Sequence, residues 1–175
     1  MGAVAGVAID DLVRDVMRPT LADLGRATGR QLAGDVPLLL LLGTAAHESR
    51  FGELRQNAPG GRPGVARGIY QIEPATALDL DRSWLAYRPE FRVALDRYRA
   101  PAPSFEARLA GDLVYQTALA RLLYYRAPAP LPAEGDVAGL ARYWKAYWNT
   151  PAGAGTVERW LADWQALVAP WLGRI

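Results

Sequence analysis

The 175-residue chain has no cysteine, one histidine, one lysine and two methionines. Without cysteine it can form no disulfide, no thiolate nucleophile and no Cys-based zinc site. The single histidine, His47, leaves a Ser-His-Asp hydrolase with one candidate base, and the Gly-x-Ser-x-Gly turn is missing too. His47-Glu48 begins like a zinc-protease motif, but Phe51 stands where the second histidine is required. Long hydrophobic runs are also lacking. The longest, Val36 to Ala46, is about half of what a bilayer-spanning helix needs, so no transmembrane segment is expected. Met1 to Ile9 is apolar, yet it carries no basic residue and runs into Asp10 and Asp11, which is unlike a signal peptide. No repeat of fixed period is present.

Apolar residues make up 51% of the chain and charged residues 22%, with 6 Trp and 8 Tyr, a globular composition rather than a disordered one. The length suits one domain with a real core. A net charge of +2 and a pI near 9.1 are compatible with an anionic polymer as partner without demanding one. The arginine-bearing stretch from Arg50 to Arg67 has no aromatic interleaving and no recognised nucleic-acid motif, so a nucleic-acid partner is not expected.

The apolar spacing reads as helices. Leu12, Val16, Leu21 and Leu24 mark an opening helical region, broken by Gly29 and Gly34. Asp35 can cap a second helix whose first turn tolerates Pro37. Its residues Leu38 to Ala46 are apolar nearly all round, as in a helix buried mid-domain. Asn57 to Gly68 is rich in Gly, Pro and Arg and reads as a loop, with a brief extended piece at Ile69 to Ile72. Helices follow from Pro74 to Leu80, Pro89 to Arg99 and Phe105 to Tyr125. A proline-rich connection covers Ala127 to Gly135, and aromatic-rich helices from Val137 to Trp148 and Val157 to Leu172 flank a turn at Thr150 to Gly155. The pattern is mostly α with at most a small β element near Ile69, and nothing alternates as a parallel sheet would require.

Glu48 is the residue that stands out. Counting back three, four and seven residues puts Ala45, Thr44 and Leu41 on its face, so it points to the interior. Lost hydration and the negative end of the helix dipole both disfavour its charge, which predicts a carboxyl still protonated near neutral pH. Such a group can serve as general acid. The alternative is a helix-end glutamate paired with Arg50 or Arg55.

Three motifs occur in order: Glu48-Ser49-Arg50-Phe51-Gly52, then Gly68-Ile69-Tyr70-Gln71-Ile72-Glu73-Pro74-Ala75-Thr76-Ala77, then Ala146-Tyr147-Trp148-Asn149 followed by Gly153 and Gly155. Together they resemble the soluble lytic transglycosylase family of the lysozyme-like superfamily, with a likeness to its phage-encoded members. The family pattern is a Glu-Ser-x-Phe helix end, a Gly-Leu-Met-Gln-Ile-x-Pro-x-Thr-Ala turn and an Ala-Tyr-Asn-x-Gly element. The resemblance implies a mostly α, lysozyme-like single catalytic domain over residues 1–175 with a central buried helix. The implied substrate is the glycan strand of peptidoglycan, cut at the MurNAc-GlcNAc β-1,4 bond.

In that reading Glu48 is the single acid/base, and Ser49, Tyr70, Gln71, Glu73, Tyr147, Trp148 and Asn149 contact substrate. Several have a plainer reading as well. Ser49 can be a helix-end hydroxyl bonded to backbone, Gln71 a buried amide tying down the turn, and Asn149 a cap toward Gly153. In the third motif Trp148 falls where the family has tyrosine, with Tyr147 one residue early. Trp148 can stack on a sugar or pack in the core, as expected for Trp144, Trp160, Trp164 and Trp171. The family chemistry uses no second carboxylate and yields 1,6-anhydro products. Glu73, two residues from Gln71, can instead activate water and make the enzyme a hydrolase, or can cap the helix entered at Pro74. Lyase chemistry is favoured by the resemblance. No metal or organic cofactor is implied, the protein is expected to be a monomer, and its place of action is the periplasm or cell wall, as an endolysin or virion component if phage-encoded. A catalytically inactive wall-binding or nucleic-acid-binding module is the non-enzymatic alternative.

Overall fold

The computed structural model describes residues 8–52, 55–57, 63–150 and 153–173, with 55–57 and 63 described by their backbone alone. Most of the N-terminal stretch read for a signal peptide, and residues 58–62 of the Gly/Pro/Arg-rich loop, lie outside the described residues. Among the described residues the chain folds into eight helices and one small hairpin, the mostly α architecture that the spacing predicts. Helix α1 spans residues 9–28, α2 Asp35–Ser49, α3 residues 74–84, α4 Pro89–Asp96, α5 Phe105–Gly111, α6 Leu113–Tyr125, α7 residues 137–149 and α8 residues 157–172. Strands β1 (Arg55–Asn57) and β2 (Pro63–Arg67) pair antiparallel, with Arg55 opposite Arg67, Asn57 opposite Pro63 and a bulge between. Four helices contain a wide π turn, at Leu12–Met17, Leu80–Trp84, Lys145–Asn149 and Trp164–Val168. No described helix is long and apolar enough to cross a membrane.

Helix α2 is the central element. It packs against α6, α7 and α8, and Leu38, Leu40, Leu41 and Leu42 along it are at most 1% exposed. Each such leucine stabilises the fold by about 2 kcal/mol relative to an exposed one. The polar atom that α2 buries at Thr44 is satisfied twice, by Leu40 O at 2.8 Å and by the Tyr124 hydroxyl at 2.7 Å. Gly43 lets α8 approach: a Cβ there would lie 2.0 Å from Cζ2 of Trp160, whose ring stacks on Trp164 at 5.4 Å.

Several boundaries differ from the spacing-based reading. Asp35 does not cap α2; Gly34 occupies that position and Asp35 sits in the first turn, where its carboxylate accepts from Arg18 at 3.1 Å. The expected single helix from Phe105 to Tyr125 breaks at Asp112, which leaves helical geometry (φ −97°, ψ 95°) and caps α6 by accepting from Tyr115 N at 2.9 Å. Aspartate competes for backbone N–H groups, so it starts a helix more readily than it continues one. The strands are 55–57 and 63–67 rather than a piece at 69–72. Gly68 to Gln71 form a tight turn closed by the Arg67 and Ile72 backbones, which exchange hydrogen bonds of 3.0 and 2.9 Å.

Gly43→Ala is expected to lower unfolding free energy in urea by about 1–3 kcal/mol, because Trp160 must leave its place against α2. An unchanged midpoint would show that α8 does not pack this closely.

Candidate active site

The three motifs converge. The end of α2 carries Glu48, the 68–73 turn lies beside it, and the last turn of α7 with the following glycines forms the third side. They border a cleft of about 430 Å³ lined by Glu48, Gln71, Glu73, Tyr147, Trp148 and Asn149, together with Thr76, Arg126, Gly153 and Gly155. Six of the eight residues singled out from the sequence therefore share one cavity.

Glu48 sits at the cleft wall with Trp144 behind it, and the Trp144 indole N–H donates to Glu48 Oε1 at 3.0 Å. Burial pushes the Glu48 carboxyl up from its ordinary 4.5 to about 7, against a smaller lowering by the Trp144 hydrogen bond. Arg50, considered above as a partner for Glu48, turns to Asp163 at 3.0 Å; the Arg55 side chain is not among those described. His47 bonds the other oxygen of Asp163 at 2.8 Å and meets the Trp144 ring edge-on at 4.6 Å. Asp163 thereby fixes the ring against which the Trp144 indole is held.

Ser49 and Tyr70 lie outside the cleft. The Ser49 hydroxyl donates to Ile69 O at 2.8 Å and to Ala45 O at 3.2 Å, joining the end of α2 to the turn. Tyr70 is fully buried, with its hydroxyl 3.1 Å from Thr117 Oγ1. Both act as struts that set the relative position of Glu48 and Gln71. Gln71 takes a left-handed conformation (φ 49°), and its Nε2 donates to Gly68 O at 2.7 Å. Gly68 (φ 74°) cannot be replaced without strain, since a Cβ there would lie 2.1 Å from Gln116 Oε1, which itself accepts from Ile69 N at 2.9 Å. Glu73 occupies the N-cap position of α3, but its side chain makes no capping bond, and its exposed carboxyl lines the cleft.

In the third motif the π turn at Lys145–Asn149 gives each of two aromatic residues its own place. Trp148 packs on Tyr124 (5.0 Å between centroids) and on the edge of Tyr70 (6.5 Å) while one side faces the cleft. Tyr147 is 38% exposed and lies against Tyr143 at 4.7 Å. Asn149 Oδ1 accepts from Lys145 Nζ at 2.7 Å, and the same ammonium donates to Gly153 O at 2.8 Å. A Cβ at Gly155 would lie 2.6 Å from Trp144 Cη2, so a side chain there would press on the ring that bonds Glu48.

Sequence reasoning missed Trp144, Lys145, Thr76 and Arg126 as parts of this site. Lys145 carries a signal of its own, being the one lysine in a chain that otherwise uses arginine. The four non-glycine residues with positive φ among those described are Arg50, Phe51, Gln71 and Thr150, and all flank Glu48, the turn or Asn149. Such backbone costs about 1–3 kcal/mol per residue and clusters where geometry serves a site. No family model, curated protein or solved structure matches the chain.

Because the folded Glu48 carboxyl titrates near 7 and the unfolded one near 4.5, the unfolded state loses its proton first as pH rises. The stability that Glu48 contributes is present below pH 4.5 and is lost on the way to pH 7, by roughly 1–3 kcal/mol. Glu48→Gln is therefore expected to unfold at higher temperature than wild type at pH 7.5 and at nearly the same temperature at pH 4. Equal differences at both pH values would show that the carboxyl is not perturbed.

Proposed function

We propose that the protein cleaves the MurNAc-GlcNAc β-1,4 bond of peptidoglycan as a lytic transglycosylase, with Glu48 as its one acid/base. The observation that carries this reading is a carboxyl raised to about 7 by burial, at the wall of a cleft that also presents two amides, two aromatic rings and a second carboxyl. The three-motif resemblance supplies the substrate class. A protonated Glu48 donates to the glycosidic oxygen as the C1–O4 bond breaks, with the neighbouring N-acetyl group assisting at C1. The resulting carboxylate then takes the proton of the C6 hydroxyl while O6 bonds to C1, which gives a 1,6-anhydro ring and returns Glu48 to its acid form without water. Gln71 can both donate to and accept from sugar hydroxyls or the N-acetyl amide, and Tyr147 and Trp148 offer ring faces to the sugar.

Glu73 supports a second reading, because its exposed carboxyl lines the same cleft without a capping role. As a base for water it would make the protein a hydrolase. Digestion of purified peptidoglycan, with the released fragments analysed by mass, separates the two. Anhydro-muramic ends that vanish in Glu48→Gln are the expected result. Reducing ends that vanish in Glu73→Gln would replace the lyase by a hydrolase, and intact wall under all conditions would leave a binding module.

Activity is expected to fall as pH rises through 7, where Glu48 loses its proton. Trp144→Phe removes the bond that lowers this pKa, so the alkaline limb of the rate profile should move upward. A limb that stays in place would separate Trp144 from the acid/base.

A further inference from the structure

Behind the cleft lies a second cavity of about 430 Å³, and Arg121 of α6 lines it. Arg121 is only 3% exposed, the one charged side chain among the fully buried described residues. Its Nε donates to Leu32 O at 2.8 Å, and the guanidinium carbon lies 5.4 Å from the centre of the Tyr125 ring. No carboxylate pairs with it among the described residues. Of the five N–H donors of a guanidinium, the four on the Nη atoms meet no acceptor there. Those atoms are not sealed into the core either, so they reach the cavity. Burial draws the pKa of Arg121 down to about 10, which still leaves it charged at neutral pH.

A cation with so little exposure is only partly hydrated, so a counter-charge that reaches its free donors from the cavity is stabilising. The cavity walls offer none. They include Tyr124, Tyr125, Tyr143, Pro128, Pro130 and Leu131, with the Gln31 amide at one side. We propose that this cavity is a binding site for a small carboxylic acid with a weakly polar body, whose two oxygens take the paired Nη donors of Arg121. A carboxylate fits better than a phosphate, because one guanidinium neutralises a monoanion and would leave half the charge of a dianion uncompensated. The short acid end of a peptide has the right chemistry, with an amide for Gln31 and small side chains for the prolines. This site stands without the cleavage reading. It adjoins the cleft all the same, since Tyr124 and Tyr143 on its wall touch Trp148 and Tyr147 on the other side.

The test is an NMR titration of the full chain, following the Arg121 Nε–Hε signal as acetyl-alanyl-alanine or its C-terminal amide is added. The acid should shift the signal saturably in the millimolar range, and the amide should bind at least tenfold more weakly. Arg121→Met, checked for folding by its spectrum, should abolish the response of the Tyr143 ring to the acid. If that variant does not fold, the acid-against-amide comparison on wild type decides. Equal shifts by acid and amide, no shift by either, or an undiminished response in folded Arg121→Met would overturn the proposal.

Discussion

Burial of α2 on all sides is the constraint from which the rest of the structure follows. A helix whose leucines are covered by α6, α7 and α8 cannot place its last residues in water, so Glu48 ends among apolar and aromatic groups. The carboxyl escapes complete enclosure because the chain reverses immediately after it. Arg50 and Phe51 take left-handed conformations, and Ser49 then ties the end of α2 to the carbonyl of Ile69. The strain at Arg50 and Phe51 is offset by the packing that holds them, and its result is an acid facing a cleft rather than a core.

Around that acid the structure uses two kinds of support. Polar struts fix the backbone: Ser49 to Ile69, Gln116 to Ile69, and Lys145 to both Asn149 and Gly153. Aromatic rings fill the space between them, with Trp144 between His47 and Glu48, and Trp148 between Tyr124 and the cleft. The π turn at Lys145–Asn149 connects the two kinds. It widens the end of α7 so that Tyr147 and Trp148 both reach the cleft side while Asn149 still meets the glycines that follow.

The same aromatic layer divides the cleft from the Arg121 cavity. Tyr124 and Tyr143 each present one side to a charged group or its cavity and touch a cleft-lining ring with another. The two cavities are thus separated by a single layer of rings, Tyr124 against Trp148 and Tyr143 against Tyr147.

Much of this was legible in the sequence because it depends on local pattern. The all-round apolar run at Leu38 to Ala46 sets a buried helix, and a three- and four-residue count puts Glu48 on an interior face. All eight candidate residues lie in three motifs that occur in order, and six of them line one cleft. The sequence could not decide what lies across space. It did not reveal that Asp112 splits the expected helix from Phe105 to Tyr125, since capping competes with a helical pattern that is otherwise continuous. Nor did it reveal that Ser49 and Tyr70 turn inward, that Arg50 goes to Asp163, or that Trp144 bonds Glu48, because each depends on a partner 20 to 113 residues away. Periodicity determines which face of an element is buried; only the packing of α6, α7 and α8 on α2 decided which polar groups meet there, because hydrogen bonds and desolvation act over a few ångströms in space, whatever the separation along the chain.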